Sequence, residues 1–119
     1  MKILVVEDEP KVLELMLRHF QEQGHEAIGS DTCPGAMALL PSCPDVAFVD
    51  LWLKGSSDGR TVLKELRRVS PGTKAVIVTG TEAEDPPEEE MVQFGAVACL
   101  KKPIRLDDLD NLLQDLSRS

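Results

Sequence analysis

The sequence is poor in cysteine, in positive charge and in long apolar runs, and each shortage excludes something. Only three cysteines occur among 119 residues, Cys33, Cys43 and Cys99. Their number is odd and no close pair has zinc or dithiol spacing, which argues against a disulfide framework or a thiolate metal site and fits small packing residues with reduced thiols. Thirteen lysines and arginines face 21 aspartates and glutamates, a formal charge of −8. Phosphate backbones are bound by clustered basic residues, so no direct nucleic acid binding by this segment is expected, and any DNA contact would come from another chain or a missing segment. After Met1-Lys2 only four apolar residues precede Glu7-Asp8. That is too short for a signal-peptide core, and no run approaches membrane-spanning length, so the expectation is a cytoplasmic protein with no membrane contact.

The runs that are present are short and evenly placed. Ile3 to Val6, Val46 to Val49, Ala75 to Val78 and Val97 to Leu100 each end in polar residues: Glu7-Asp8, Asp50, Thr79 and Lys101-Lys102. Between them lie stretches of helical period. Val12, Leu13, Met16, Leu17 and Phe20 form one stripe opened by Pro10 and stopped at Gly24. His25 to Ser30 is a weaker strand with only Ala27 and Ile28 apolar, placed toward a sheet edge. Pro34 to Leu40 predicts a short helix closed by Pro41. Gly59 to Val69 predicts another, with Val62, Leu63, Leu66 and Val69 inward and Asp58 as its cap. Pro86-Pro87 and three glutamates open a fourth helix with few apolar residues behind it, expected to be short and mobile. Leu106, Leu109, Leu112, Leu113 and Leu116 mark the last.

Alternating strands and helices with right-handed crossovers predict an α/β fold, (βα)5 and doubly wound, in one domain spanning residues 1–119. The expected five-stranded parallel sheet has order 2-1-3-4-5 with helices on both faces. Strands one and three then meet at the topological switch point, and Glu7, Asp8 and Asp50 converge at the carboxyl edge. Carboxylates gathered in a cleft repel unless a cation or a proton relieves them. Oxygen-only ligands favour a hard ion such as Mg²⁺. A carboxylate beside that ion can attack a phosphoryl group, with Lys101 or Lys102 neutralising charge on the transferred oxygens.

Those residues, in the order Ile3 to Pro10, Pro44-Asp45 through Leu51, Val78-Thr79-Gly80, and Gly95-Ala96 through Lys102-Pro103, resemble a response-regulator receiver domain of two-component phosphorelay signalling. The resemblance covers essentially the whole chain. It implies that Asp50 accepts a phosphoryl group from a histidine-kinase phosphohistidine. Glu7, Asp8, Asp50 and the backbone carbonyl of Trp52 would hold Mg²⁺, with Asp8 a more direct ligand than Glu7. Thr79 would bond a phosphoryl oxygen, and Lys102 rather than Lys101 would be the counter-ion, at a Lys102–Pro103 step that is often cis in such proteins. Such a domain is a switch that catalyses only its own phosphorylation and autodephosphorylation. Its implied partners are a sensor histidine kinase or phosphotransfer protein, a downstream effector or missing output domain, and a second copy through the face of helices four and five.

Three departures from the family pattern bear on mechanism. Cys99 stands where an aromatic usually reorients, so coupling from Thr79 would have to run through displacement of the following loop and helix four. Trp52, two residues beyond the acceptor, is expected to shield an acyl phosphate from water. The stretch Leu53 to Gly59 is one residue longer than usual and richer in serine and glycine, as a more flexible loop would be. Two competing functions fit the pattern less well. An atypical receiver that binds partners without phosphorylation is opposed by the intact set Glu7, Asp8, Asp50, Thr79 and Lys102. A Mg²⁺-dependent phosphatase is opposed by Trp52, which stands where a second aspartate would serve as general acid.

Overall fold

The computed structural model describes residues 1–53, 59–80 and 86–118. In chain order the elements are β1 (Lys2–Val6), α1 (Pro10–Glu22), β2 (Glu26–Ser30), α2 (Cys33–Leu39), a 3₁₀ turn (Leu40–Ser42), β3 (Val46–Asp50), α3 (Gly59–Val69), β4 (Lys74–Thr79), α4 (Glu88–Gln93), β5 (Ala96–Lys101) and α5 (Leu106–Ser117). All strand pairs are parallel, and the sheet order is β2-β1-β3-β4-β5, as the alternation predicts.

Side chains alternate across a strand, so β1, β3 and β4 each feed both faces of the sheet. Leu4, Val6, Ala47, Val49, Ala75 and Ile77 point to one face, where Ala36 of α2, Val62, Leu63 and Leu66 of α3, and Phe94 cover them. Ile3, Val5, Val46, Phe48, Val76 and Val78 point to the other, under Met16 and Phe20 of α1 and Leu109 and Leu113 of α5. Phe20 stacks on Phe48 with ring centroids 5.2 Å apart. Three strands buried on both faces explain why their sequences are continuous apolar runs rather than alternating ones. The edge strands differ: β2 is nowhere fully buried, and Val97 of β5 is half exposed.

The turns follow from their residues. Thr32 caps α2, its hydroxyl accepting from the Gly35 N–H at 3.0 Å, with Pro34 inside the first turn. Pro71-Gly72 leads into β4 through a turn whose Thr73 N–H donates to the Ser70 carbonyl at 3.0 Å. Gly24 and Gly95, at φ 91° and 66°, end α1 and α4 in a backbone region that glycine enters without steric cost.

Two sequence expectations change. Leu40 begins the 3₁₀ turn and does not end α2, because Pro41 has no N–H with which to continue the α-helical pattern. Cys43 is not a packing residue: it is exposed, and its φ of 52° lets it terminate that turn with a left-handed backbone. Cys33 and Cys99 are half-buried against the core, as small packing residues would be. α4 is short, at six residues. The expected Asp58 cap, and residues 54–58 of the Leu53 to Gly59 stretch expected to be longer and more flexible, lie outside the described residues. Among those residues no helix is long and apolar enough to cross a membrane.

Candidate functional site

The parallel order brings the ends of β1, β3, β4 and β5 to one edge, and backbone bonds hold them in step there. The Leu51 N–H donates to the Val78 carbonyl at 3.1 Å, and the Lys102 N–H donates to the Thr79 carbonyl at 2.9 Å. The Lys102–Pro103 peptide is cis. Glu7 follows β1 and is 1 % exposed, while Asp50 ends β3 and is 3 % exposed. Asp8 is half-buried beside them, and one carboxylate oxygen from each of the three lies within 4.8 Å of the others.

Lys102 enters this cluster from across the sheet. Its Nζ donates to Glu7 Oε1 at 2.8 Å and to Asp50 Oδ2 at 2.9 Å, and it stands 3.6 Å from Glu9 Oε1. The other Asp50 oxygen, Oδ1, accepts the Trp52 N–H at 2.9 Å, and Glu7 Oε1 also accepts the Glu9 N–H at 3.2 Å. Asp50 is therefore gripped from both sides. The Lys101 side chain is exposed. Thr79 is fully buried at the end of β4, and its hydroxyl oxygen has no hydrogen-bond partner among the described residues. A buried hydroxyl left unpaired costs stability, so this oxygen has hydrogen-bonding capacity to offer an incoming group.

The electrostatics follow from burial. Desolvation pushes the Glu7 carboxyl from its usual 4.5 up to about 7; the Lys102 hydrogen bond pulls against this rise, and the Asp50 charge adds to it. Burial alone would depress the Lys102 ammonium, but its bonds to Glu7 and Asp50 outweigh that and hold it above its usual value. Glu7 therefore holds its proton up to about neutrality. The donor set consists of oxygens alone and is mostly withdrawn from water, which suits a hard divalent cation.

A pH dependence follows. Folded Glu7 binds its proton more tightly than unfolded Glu7, so its contribution to stability is complete below about pH 4.5 and is lost as pH rises through about 7. The urea midpoint of the metal-free protein is expected to fall between pH 5 and pH 8, and saturating Mg²⁺ is expected to flatten that fall. A midpoint that rises with pH over this window in chelator would show the assignment to be wrong.

Two contributors to the site and one side chain beside it leave no signal in the sequence pattern: Gly59, Glu9 and, outside the acidic pocket, Arg60. Gly59 opens α3 directly against Asp50: a Cβ there would lie 2.1 Å from the Asp50 carbonyl oxygen. Its N–H donates to the Leu51 carbonyl at 2.7 Å. Glu9 adds a carboxylate near Lys102. Arg60, next to Gly59, places its guanidinium 5.6 Å from the centre of the Trp52 ring while its Nε donates to Glu90 Oε1 of α4 at 2.5 Å. Trp52 as a residue is 59 % exposed. Helix-start glycine and i-to-far-j ion pairs leave no periodic signature, so composition and spacing could not have revealed them.

Fold and site together define a flavodoxin-like α/β protein with an acidic, lysine-closed pocket at the switch point of its sheet. The family described as response regulator receiver domain matches residues 3–114, and the chain belongs to that family. It is 36 % identical over 109 residues to the alginate biosynthesis transcriptional regulatory protein AlgB of Pseudomonas aeruginosa, covering 91 % of this chain and 24 % of that protein. It is 35 % identical over 118 residues to the transcriptional regulatory protein TcrA of Mycobacterium tuberculosis, covering 98 % of this chain and 46 % of that one. The chain therefore spans less than half the length of these relatives. Among solved structures, a CheY-like response regulator receiver domain protein from Methanospirillum hungatei superposes with a TM-score of 0.86 at 24 % identity, covering 98 % of this chain and 94 % of the other.

Proposed function

We propose that residues 1–119 act as one cytoplasmic receiver domain in which Asp50 accepts a phosphoryl group from the phosphohistidine of a sensor histidine kinase or phosphotransfer protein. An Asp50 carboxylate oxygen forms the new P–O bond as the P–N bond breaks, and the departing imidazole keeps the electron pair and takes up a proton. Glu7, Asp8, Asp50 and the Trp52 carbonyl would hold Mg²⁺. That ion supplies neutralisation of charge on the phosphoryl oxygens. Lys102 shares this role from the β5 side, and the Thr79 hydroxyl donates to a phosphoryl oxygen once the group is in place. The domain catalyses only its own phosphorylation and autodephosphorylation, and an effector protein or an attached output domain reads the resulting conformation. Trp52 retards hydrolysis by covering the acyl phosphate.

The observation that carries this reading is the grip on Asp50. Its two oxygens are held by the Trp52 N–H and by Lys102, while the Thr79 hydroxyl, without a partner among the described residues, stands at the end of the adjacent strand. The test is incubation with a small-molecule phosphoryl donor, with and without Mg²⁺. The expected result is acid-labile, hydroxylamine-sensitive phosphate approaching one per chain in the presence of metal only, assigned to residue 50 by borohydride reduction and mass spectrometry. No metal-dependent labelling, or labelling at another residue, would refute it.

A further inference from the structure

Arg60 belongs neither to the acidic pocket nor to the core, yet it touches the surroundings of both the acceptor and α4. On one side it sits over Trp52, whose backbone N–H is bonded to Asp50 Oδ1. On the other it is bonded to Glu90, 30 residues away on α4. Its own backbone follows Gly59, which lies against the Asp50 carbonyl. The Arg60 and Glu90 side chains are 32 % and 20 % exposed, so the pair is shielded from the screening that makes most surface pairs weak.

We propose that Arg60 is the positioning residue that couples the state of Asp50 to α4, with Trp52 as the link on the acceptor side and Glu90 as the link on the helix side. The inference rests on Asp50 being the phospho-acceptor. Phosphorylation converts the Asp50 carboxylate into an acyl phosphate with one bridging and one carbonyl oxygen, so the Trp52 N–H loses its anionic acceptor. The single carboxylate charge gives way to close to two on the phosphoryl oxygens, a net gain of about one negative charge at that loop. The guanidinium, already seated on Trp52, is drawn toward this charge and away from Glu90. The tie between α3 and α4 loosens. Because coupling between two sites is reciprocal, removing the Glu90 charge has to alter the environment of Trp52 as well.

The experiment measures hydrogen exchange of Glu88–Gln93 and the emission of Trp52, the single tryptophan, before and after adding Mg²⁺ and beryllofluoride. Wild type, Glu90→Gln and Arg60→Lys are compared, and phosphate incorporated from a small-molecule phosphoryl donor with Mg²⁺ is measured in separate samples of each. In wild type, exchange in α4 is expected to rise at least threefold on addition and the Trp52 emission to shift. In Glu90→Gln, α4 is expected to exchange fast from the start and to change less than twofold, with Trp52 emission already displaced and phosphate incorporation unchanged. Arg60→Lys keeps the charge but not the planar fork, and is expected to retain part of the response. Equal α4 responses in wild type and Glu90→Gln at equal phosphate incorporation would overturn the coupling. So would an α4 that ignores beryllofluoride in a wild type that takes up phosphate normally. Absence of phosphate at Asp50 in wild type would instead remove the reading of the site on which the coupling stands.

Discussion

Asp50→Asn is expected to lower phosphoryl incorporation by roughly 10³-fold or more, the scale seen when a covalent nucleophile is removed. The shape of the side chain is conserved, so the loss is chemical: an amide oxygen is a far weaker nucleophile than a carboxylate and forms no stable acyl phosphate. The variant also rearranges its surroundings in a way that can be measured. Asp50 Oδ1 and Oδ2 accept from the Trp52 N–H and Lys102 Nζ respectively, and an amide has a single oxygen to offer to these two donors. One of the two contacts must lapse. Lys102 is then left mainly to Glu7, and the Asp50 charge that helps to raise the Glu7 carboxyl is gone. The fall of stability between pH 5 and pH 8 in metal-free protein is therefore expected to be shallower in Asp50→Asn than in wild type. Parallel phosphate assays and urea titrations at the two pH values check both parts. Phosphate uptake near the wild-type level in Asp50→Asn would place the acceptor elsewhere.

The largest loss of stability from a single methyl group is expected at Gly59. A Cβ at this position would stand 2.1 Å from the Asp50 carbonyl oxygen, 2.8 Å from its carbon and 3.0 Å from the Leu51 Cα. All three are backbone atoms of the buried strand end and its continuation, and none can swing aside as a side-chain tip could. Either α3 lifts away from β3, which stretches the 2.7 Å bond from the Gly59 N–H to the Leu51 carbonyl, or the end of β3 is pushed inward. Forced backbone shifts of this kind cost about 3 kcal/mol. In a domain of this size that corresponds to a melting temperature lower by roughly 10 °C. Because the displaced atoms carry Asp50, phosphoryl uptake should fall as well. Gly72→Ala is the control, since a Cβ there meets nothing within 4 Å. A Gly59→Ala protein that melts with the wild type would show that the approach of α3 to Asp50 is looser than described.

The fold was legible because three strands are buried on both faces. Continuous runs such as Val46 to Val49 and Ala75 to Val78 have no other economical home than a parallel sheet between two helical layers. The weak second run, with Ala27 and Ile28 as its apolar residues, lies at an edge for the same reason: less burial demands less apolar sequence. The charged and hydroxyl residues that end the runs were legible as a group, since topology alone brings Glu7, Asp8, Asp50 and Lys102 together. What could not be read was everything held by backbone. The Trp52 N–H on Asp50 and the seat of Gly59 depend on main-chain positions that any residue type could share. Cys43 was misplaced because its role is conformational, and nothing in a cysteine's chemistry announces a left-handed turn. The Arg60–Glu90 pair joins helices 30 residues apart by side chains that, in sequence, look like ordinary solvated charges.

The span of the lysine contact has a consequence for how the domain comes into being. Lys102 reaches Glu7 across 95 residues and Asp50 across 52. While a ribosome is still making the final strand, the earlier carboxylates exist without their cation, and the cleft that would receive a donor has no fourth wall. Contacts this distant in sequence form late, after the entropic cost of closing the chain has been met. If Asp50 is the phospho-acceptor, a nascent or C-terminally clipped polypeptide without β5 would lack the Lys102 ammonium at its carboxylates, and full competence would wait on insertion of that strand.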